Sequence, residues 1–260
     1  MHGVLQTYFD GMGPSSSQDE CLDLMFDAVK SMGFSTLAYD YTPVPRSDTG
    51  ELIPPRFLRS FDAPDGFDHC WVAQDFYAID MIWQTCVDTT SPFIWSSDGQ
   101  SCGRNVNVLN LSADETGRPV FEYLSEWGLR IGATVPLHLP DGGLGTLTAI
   151  GHDTEPGFVE EAAQNLGYLV LLAHRMQDRV AASFDASVRA CRYFQLSPRE
   201  VECIQLVAEG YTTKQVSDKI CRSPATAALH LNNAVRKLGA RNRTHAIARA
   251  AHFGLLHKVH

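Results

Sequence analysis

The sequence predicts an α+β protein of two domains: an N-terminal α/β/α sandwich with an antiparallel sheet, and a C-terminal all-α domain of four short helices. One observation is the hydrophobic spacing, which mixes strand and helix patterns in the first part of the chain and is helical alone in the last part. The other is charge: residues 1–193 hold 11 basic and 26 acidic residues, whereas residues 194–260 hold ten basic and four acidic ones. We therefore expect domains at 1–183 and 194–260, joined by a linker at 184–193.

The N-terminal elements follow from hydrophobic spacing and from residues that end helices. The expected helices are 21–32, 65–74, 79–89, 115–127 and 158–183. The expected strands are 34–41, 57–61, 133–139 and 144–150. The last two strands flank Pro140-Asp141-Gly142-Gly143, which is typical of a hairpin turn. A polar, glycine-rich loop is expected over 96–104.

The composition is that of a globular protein without a membrane segment. Hydrophobic residues make up 44% of the chain, and no apolar run approaches the roughly 18–20 residues of a membrane span. Residues 1–13 lack the basic start and apolar core of a secretory signal. Seven cysteines are scattered without a Cys-x-x-Cys pair, which indicates free thiols in a reducing compartment. We expect a cytoplasmic protein.

Four helix-start signals follow one another in the C-terminal part. Ser197-Pro198-Arg199-Glu200 is a capping box with Pro at the first helical position, and Thr212 with Gln215 forms another possible box. Ser223-Pro224 opens a third helix that reaches Leu238, and a fourth is expected from about Asn242 to Phe253. Short helices with a tight turn between the second and third predict a helix-turn-helix domain.

The third of these helices has a second face suited to DNA. Apolar residues at helical spacing should pack inward: Ala227, Leu231, Ala234, Val235 and Leu238. The other face is small and polar at its start and basic at its end, so that Asn can pair with adenine and the cations can hold phosphates. A merely solvated face is the alternative. The candidate DNA-binding residues are Thr213, Lys214, Thr226, Ala228, Leu229, His230, Asn232, Asn233, Arg236 and Lys237.

The whole C-terminal pattern resembles the DNA-binding domain of the LuxR family. The matching segments are Leu196–Glu200, Ala208–Gly210, Thr226, His230, Lys237–Leu238, Asn242–Thr244 and Gly254–Leu256. The resemblance implies a transcriptional regulator that binds double-stranded DNA. The family's usual Val-Lys pair after Thr226 is replaced by Ala227-Ala228, so a lysine that contacts a base or a phosphate is absent.

The N-terminal part is similar to the autoinducer-binding domain of LuxR-type quorum-sensing regulators. The similar segments are Tyr77–Met81, Pro92–Trp95 and Glu126–Pro136, and Thr148 stands where the family has a pocket hydroxyl. The resemblance implies that Asp80 accepts a hydrogen bond from the amide of an acyl-homoserine lactone, and that aromatic side chains line the pocket. The candidate ligand-binding residues are Tyr39, Phe67, Trp71, Tyr77, Asp80, Met81, Trp95 and Thr148.

Some positions depart from that family's pattern. Phe67 stands in place of a Trp that donates to the lactone carbonyl, Trp71 in place of a Tyr, and Met81 in place of a Pro. A donor Tyr is also missing, since that position is Ala63. A non-lactone signal, with Trp71 supplying its indole N–H from another corner, therefore remains an alternative, as does a ligand-independent dimerisation domain.

Other function classes fit the residues less well. A phosphoacceptor receiver needs a Lys late in its sheet, and Lys30 is the sole Lys before residue 194. An enzyme acting on a small amphipathic substrate is a remote alternative, because nucleophile-elbow, P-loop, dinucleotide and zinc-protease motifs are absent from the sequence. His69-Cys70 lacks a second pair at metal spacing, and we expect neither metal nor cofactor. The expected protein is a homodimer in which a small signal completes the sensor core, sets the dimer geometry and so controls affinity for a near-palindromic operator.

Overall fold

The computed structural model describes residues 2–13, 15–97, 108–111, 115–152, 158–189 and 194–256. The chain divides into two compact units: one contains Met1–Pro45 and Leu52–Asp185, and the other contains Arg46–Glu51 and Ala186–His260. Phe184 was predicted to start the linker, but its buried ring lies 4.7 Å from that of Tyr41 within the N-terminal unit. The core of that unit therefore extends past residue 183.

Helices and strands alternate irregularly in the N-terminal unit. The helices are α1 His2–Gly11, α2 Gln18–Ser31, α3 Phe67–Ala73, α4 Phe76–Ile79, α5 Met81–Asp88, α6 Arg118–Glu126 and α7 Phe158–Ser183. The strands are β1 Thr36–Thr42, β2 Phe57–Phe61, β3 Phe93–Ser96, β4 Val108–Asn110, β5 Leu129–His138 and β6 Leu144–His152. The structure confirms the predicted α/β/α sandwich, with α1, α2 and α7 on one face of the sheet and α3 to α6 on the other.

The sheet has six strands in the order β2-β1-β6-β5-β3-β4. Every neighbouring pair is antiparallel except β3 with β4, which is parallel. Side chains alternate between the faces of a sheet. On β1, Tyr39 faces α7, where its hydroxyl donates to Gln177, while Asp40 faces α3 to α6 and pairs in register with Thr146 of β6. This alternation decides which residues reach the candidate site.

Some elements differ from the sequence predictions. The sequence did not predict α1, β3 or β4, and β5 begins at Leu129 rather than at residue 133. Short edge strands such as β4 lack the long alternation on which strand prediction depends. The predicted loop at 96–104 begins at the end of β3, and from residue 98 onward it lies outside the described residues.

The C-terminal unit contains the four predicted helices, each close to its predicted start. They are α9 Pro198–Ala208, α10 Thr213–Lys219, α11 Pro224–Lys237 and α12 Arg243–His252, preceded by the short α8 Ala186–Arg189 inside the predicted linker. Ser197 and Thr212 form the two predicted capping boxes, and Ser223 and Asn242 cap the next two helices. Of the predicted inward residues on α11, Val235 is half-buried and the other four are buried. Among the described residues, no helix combines the length and hydropathy needed to span a membrane.

Candidate functional site

A cavity lies between the sheet and helices α3 to α6 of the N-terminal unit. The space that no atom fills is about 480 Å³, including its opening to solvent. The sheet contributes Ala38, Asp40, Leu58, Trp95, Thr146, Thr148 and Ile150. The helices contribute Phe67, Trp71, Asp80, Ile82, Trp83 and Leu124. Apolar walls with a few polar groups are typical of small-molecule sites.

Five of the predicted ligand-binding residues line this cavity: Phe67, Trp71, Asp80, Trp95 and Thr148. They come from α3, the start of α5, β3 and β6, which are far apart in the chain. The tertiary structure thus brings together residues that the sequence connected only through a family resemblance.

The other three predicted residues lie elsewhere. Tyr39 is fully buried on the opposite face of the sheet, where its hydroxyl donates to Gln177 Oε1 at 2.8 Å, so its prediction as a pocket residue is wrong. The hydroxyl of Tyr77 donates to Asp75 Oδ1 at 3.1 Å, away from the cavity lining. Met81 is half-buried and packs against the surrounding apolar core rather than lining the cavity.

Asp80 lines the cavity and also caps α5. Its Oδ1 accepts from the backbone N–H of Ile82 at 2.9 Å, and its Oδ2 accepts from that of Trp83 at 3.2 Å. The side chain is buried, with 4% of the residue surface exposed. Asp80 is thus both the N-cap of α5 and a residue of the cavity lining.

Trp95 lies at one end of the cavity, and a chain of hydrogen bonds holds its ring in place. Its indole Nε1–H donates to Thr134 Oγ1 at 3.1 Å, and that oxygen lies 3.1 Å from Thr148 Oγ1. The ring lies against Gly132 of the neighbouring strand, where an added Cβ would stand 2.4 Å from Trp95 Cζ2. Gly132, which belongs to the family-like segment Glu126–Pro136, therefore makes room for the tryptophan.

Aromatic rings surround the helical side of the cavity. Phe67 and Trp71 are stacked with centroids 5.2 Å apart, and Trp71 meets Phe76 edge-on at 5.7 Å. Tyr123 of α6 lies 5.3 Å from Phe76 and 6.0 Å from Phe67. Such ring pairs stabilise a rigid apolar wall. Phe67 has no hydrogen-bond donor, so the polar groups of this site come from other positions.

Asp40 is a cavity residue that sequence reasoning missed. Its Oδ1 accepts from Trp83 Nε1 at 3.1 Å, and its Oδ2 accepts from Thr146 Oγ1. Burial raises the pKa of Asp40 to about 6, although these two hydrogen bonds oppose the shift. A carboxylate within the apolar strand Thr36–Thr42 was the available signal. Its neighbours in space, however, come from β6 and α5.

The candidate DNA-binding surface lies on α10 and α11 of the C-terminal unit. Asn232, Arg236 and Leu229 are exposed on α11, and 58% of the Leu229 surface is accessible. Lys214 is exposed on α10. Ala228, His230, Asn233, Thr213 and Thr226 are half-buried. The predicted groove-facing side of α11 is thus open, whereas its opposite side is buried in the core of the unit.

Some of these candidates also bond to residues outside the candidate set. Lys237 Nζ lies 2.7 Å from Glu200 Oε2. Burial raises the pKa of Glu200, but hydrogen bonds from Lys237 and from Ser197 outweigh it and keep the pKa below its ordinary value. Thr213 Oγ1 accepts from Arg243 Nη1 at 2.7 Å, and Thr226 Oγ1 lies 2.9 Å from the oxygen of its cap, Ser223. Lys237 therefore joins α11 to α9, in addition to its predicted role at DNA.

Comparison with known proteins assigns both units. Residues 17–180 match the family model of the autoinducer binding domain, and residues 195–250 match that of the bacterial regulatory proteins of the luxR family. The chain belongs to the LuxR family. It is a quorum-sensing transcriptional regulator with an autoinducer-binding domain and a DNA-binding domain, as the sequence resemblance predicted.

Individual relatives agree with this assignment. The regulator is 31% identical over 228 residues to RpaR of Rhodopseudomonas palustris, a quorum sensing-dependent transcriptional regulator, covering 88% of this chain and 85% of RpaR. SdiA in complex with octanoyl-rac-glycerol has the same fold, with a TM-score of 0.58, 22% identity, and coverage of 100% of this chain and 98% of SdiA. The acylhomoserine lactone-dependent factor CepR2 of Burkholderia cenocepacia has a TM-score of 0.52 and 16% identity, covering 70% of this chain and 96% of CepR2.

A metal-dependent site finds no support in the described part of the chain. No group of three or more His, Cys, Asp or Glu side chains is arranged there to hold a metal ion. The known function of the family is transcriptional regulation rather than catalysis.

Proposed function

We propose that the cavity of this regulator binds a small amphipathic signal, an acyl-homoserine lactone or a similar molecule, with Asp80 accepting a hydrogen bond from its amide. The observation that carries the proposal is the meeting of Asp80, Trp95 and Thr148 in one cavity of a chain that matches the autoinducer-binding family. A buried carboxylate gains free energy from a donor that water does not supply inside the protein.

The relatives support this class of ligand. CepR2 is described as dependent on N-acylhomoserine lactone, and SdiA was solved with octanoyl-rac-glycerol. Both molecules combine a polar head with an acyl chain. The cavity of this regulator has matching parts, since Phe67, Trp71 and Leu124 are apolar and Asp80 and Thr148 are polar.

The proposed mechanism couples signal binding to DNA binding through a homodimer. A signal that binds only the folded, correctly paired state shifts the equilibrium towards that state by mass action. A two-fold dimer reads a near-palindromic operator. The proposed setting is the cytoplasm, where the DNA of a bacterial regulator is found, and the cavity is proposed to bind its ligand without chemical turnover. Sedimentation that shows only monomers at micromolar concentration, with and without DNA, would contradict the dimer.

A non-lactone signal is the second candidate, and the part of the cavity formed by Phe67 and Trp71 favours it. Phe67 cannot donate to a lactone carbonyl, and its ring is stacked on Trp71. We expect Phe67→Trp to introduce the missing indole donor and to shift preference towards acyl-homoserine lactones. If no lactone stabilises the wild-type protein but one stabilises Phe67→Trp, the natural signal is of another kind.

Thermal unfolding with and without ligand tests the proposed function. The purified protein is heated with a series of acyl-homoserine lactones and with octanoyl-rac-glycerol, as wild type, Asp80→Asn and Phe67→Trp. A ligand at a hundred times its Kd should stabilise the fold by about 2.7 kcal/mol. Asp80→Asn is a conservative test variant because Asn caps a helix about as well as Asp. We therefore expect it to keep α5 intact while weakening signal binding by about 1.5–3 kcal/mol.

The outcomes separate the alternatives. Equal lactone binding by wild type and Asp80→Asn would exclude Asp80 as the amide acceptor. If none of the ligands stabilises any of the three proteins while the wild type binds DNA unaided, the N-terminal unit is a ligand-independent dimerisation domain.

A further inference from the structure

The cavity carries a second carboxylate, Asp40, at a position that the family resemblance did not assign. Asp40 lies on the cavity face of β1, in register with Thr146 of β6 and Leu58 of β2. It is half-buried, and it is one of the residues that line the cavity. Asp40 is therefore not sealed within the core and is accessible from the cavity.

Two side chains hold the Asp40 carboxylate in place. Trp83 Nε1 donates to Oδ1 at 3.1 Å, and Thr146 Oγ1 donates to Oδ2. Each carboxylate oxygen has about two acceptor positions, so each retains one after these bonds. Trp83 is buried and Thr146 is 3% exposed, which keeps the arrangement rigid. The carboxylate is thus oriented before any ligand arrives.

The charged residues in the lining of the cavity are both acids. Asp40 and Asp80 both line the cavity, and Lys, Arg and His are absent from the lining among the described residues. One tryptophan connects the two acids, because the Trp83 backbone N–H donates to Asp80 while its indole N–H donates to Asp40. A cavity with this charge disfavours an anionic ligand, whose own charge would be repelled, and favours a ligand that offers donors.

The two ends of the cavity floor differ in chemistry. Asp40 and Thr146 form one row across the sheet, and Ile150, Gly132 and Trp95 form the row at the other end. These rows are four residues apart along β6, or about 13 Å at the rise of a β-strand. A signal that spans this floor meets a polar group at the Asp40 end and an apolar surface at the other.

We propose that Asp40, held by Trp83 and Thr146, is a second recognition point of the cavity, and that the signal carries a hydrogen-bond donor, a hydroxyl or a protonated amine, that binds this carboxylate. The inference rests on the proposed function, in that the same cavity holds the signal. It adds one requirement to the signal, a hydrogen-bond donor for Asp40. A signal with a plain hydrocarbon tail does not meet it.

Matched probes that differ in one terminal group test this requirement. The first series is N-octanoyl-homoserine lactone with a terminal methyl, hydroxyl, amine or carboxyl group. The second series lacks the lactone and consists of hexylamine, 1-hexanol and hexanoate. Ligand-induced shifts in Tm, converted to Kd by titration, are compared for wild type, Asp40→Asn and Tyr39→Phe. Tyr39 is the control because it lies on the same strand but faces away from the cavity.

In wild type we expect the hydroxyl or amine derivative to bind at least about tenfold more tightly than the methyl form, and the carboxyl form to bind most weakly. Asp40→Asn should reduce the advantage of the amine about tenfold or more, whereas Tyr39→Phe should leave the order unchanged. Comparing the Kd of the hydroxyl derivative with that of the amine derivative identifies which donor the site prefers. Thr146→Val keeps the carboxylate but removes one of its donors, and should reduce the same advantage; it serves if Asp40→Asn does not fold.

The two series distinguish this inference from the proposed function. If lactones bind but the terminal group has no effect, the proposed function stands and the role of Asp40 is wrong. If the lactones fail while hexylamine stabilises wild type and not Asp40→Asn, recognition by Asp40 stands and the lactone part of the proposed function is wrong. Equal binding of all probes by wild type and Asp40→Asn would overturn the inference.

Discussion

The two faces of the central sheet carry polar side chains in different situations. On the face towards α7, the Tyr39 hydroxyl donates to Gln177 Oε1, whereas Gln177 Nε2 is buried without a hydrogen-bond partner among the described residues. On the cavity face, Asp40 takes donors from Trp83 and Thr146 but retains acceptor positions towards the cavity. Both faces bury polar atoms. The face towards α7 is closed by packing and leaves a donor unpaired at Gln177, whereas the cavity face leaves acceptor positions at Asp40 that a ligand can reach.

The glycines of the two faces show the same contrast. An added Cβ at Gly132 would meet both the rigid ring of Trp95 at 2.4 Å and the backbone oxygen of Ala149 at 2.7 Å. At Gly145 it would meet the end of the flexible Gln177 side chain, with Oε1 at 2.6 Å. Neither glycine has a positive φ, so steric contact alone decides the effect of a substitution.

The largest expected effect is that of Gly132→Ala. Because neither the Trp95 ring nor the strand backbone can move freely, we expect a loss of about 3 kcal/mol in the free energy of unfolding, the upper end for an overpacked core. The matched variant Gly145→Ala should lose about 1 kcal/mol, since the Gln177 amide can turn aside. Urea unfolding of both proteins measures the difference. Equal losses would show that the cavity face is as adaptable as the face towards α7.

Next in size is the effect of Asp40→Asn on stability without ligand. Burial raises the pKa of Asp40 to about 6, so the folded state holds its proton more tightly than the unfolded state does. The resulting stabilisation is present below about pH 4 and is lost as the pH rises through about 6. At pH 7.5 the ionised carboxylate therefore costs stability, and Asp40→Asn should raise the free energy of unfolding by on the order of 2 kcal/mol.

The pH dependence sharpens this test. The titratable groups on which the charge of Asp40 acts are Cys86 on the cavity side and Tyr39 at the neighbouring position. Burial raises the pKa of the Cys86 thiol and that of Tyr39, so both stay protonated over this range. The difference in stability between Asp40→Asn and wild type should therefore grow between about pH 4 and 6 and then level off. A difference that is constant from pH 4 to 8 would contradict the assigned pKa.

A smaller effect is expected for Tyr39→Phe, on the face towards α7. This change removes the donor that satisfies the buried Gln177 Oε1 and should lower the free energy of unfolding by about 1 kcal/mol. Signal binding should stay the same, because the side chain faces away from the cavity. A change in ligand affinity comparable to that of Asp40→Asn would show that the two faces are coupled.

The smallest effect on stability is expected for Asn232→Ala, outside the sheet. Asn232 is exposed on α11, so its removal should leave both unfolding and signal binding nearly unchanged. Binding to a specific DNA site should weaken by about 1–3 kcal/mol, with little change for random DNA or in the salt dependence. Electrophoretic mobility or anisotropy titrations on both duplexes measure this. Equal losses on specific and random DNA would refute a base-reading role.

The C-terminal unit illustrates what could be predicted from the sequence. Ser197 with Glu200 and Thr212 with Gln215 form the predicted capping boxes, and Pro224 begins α11 as expected. These signals involve residues three positions apart, so they act through local hydrogen bonds that depend little on the rest of the fold. The candidate DNA surface could be derived from the sequence for the same reason, since one helix carries most of it.

Local pattern and family motifs were thus sufficient for the fold class, the helices of the C-terminal unit and the candidates Asp80, Trp95 and Thr148. The tertiary structure decided which side chains meet. It placed Tyr39 against Gln177 and Asp40 beside Trp83 and Thr146, partners that are 43 to 138 positions away in the sequence. A shift of one residue along β1 exchanges the two faces, and that register depends on pairing with β2 and β6. Because such pairing joins distant segments, the polar end of the cavity became visible only in the folded chain.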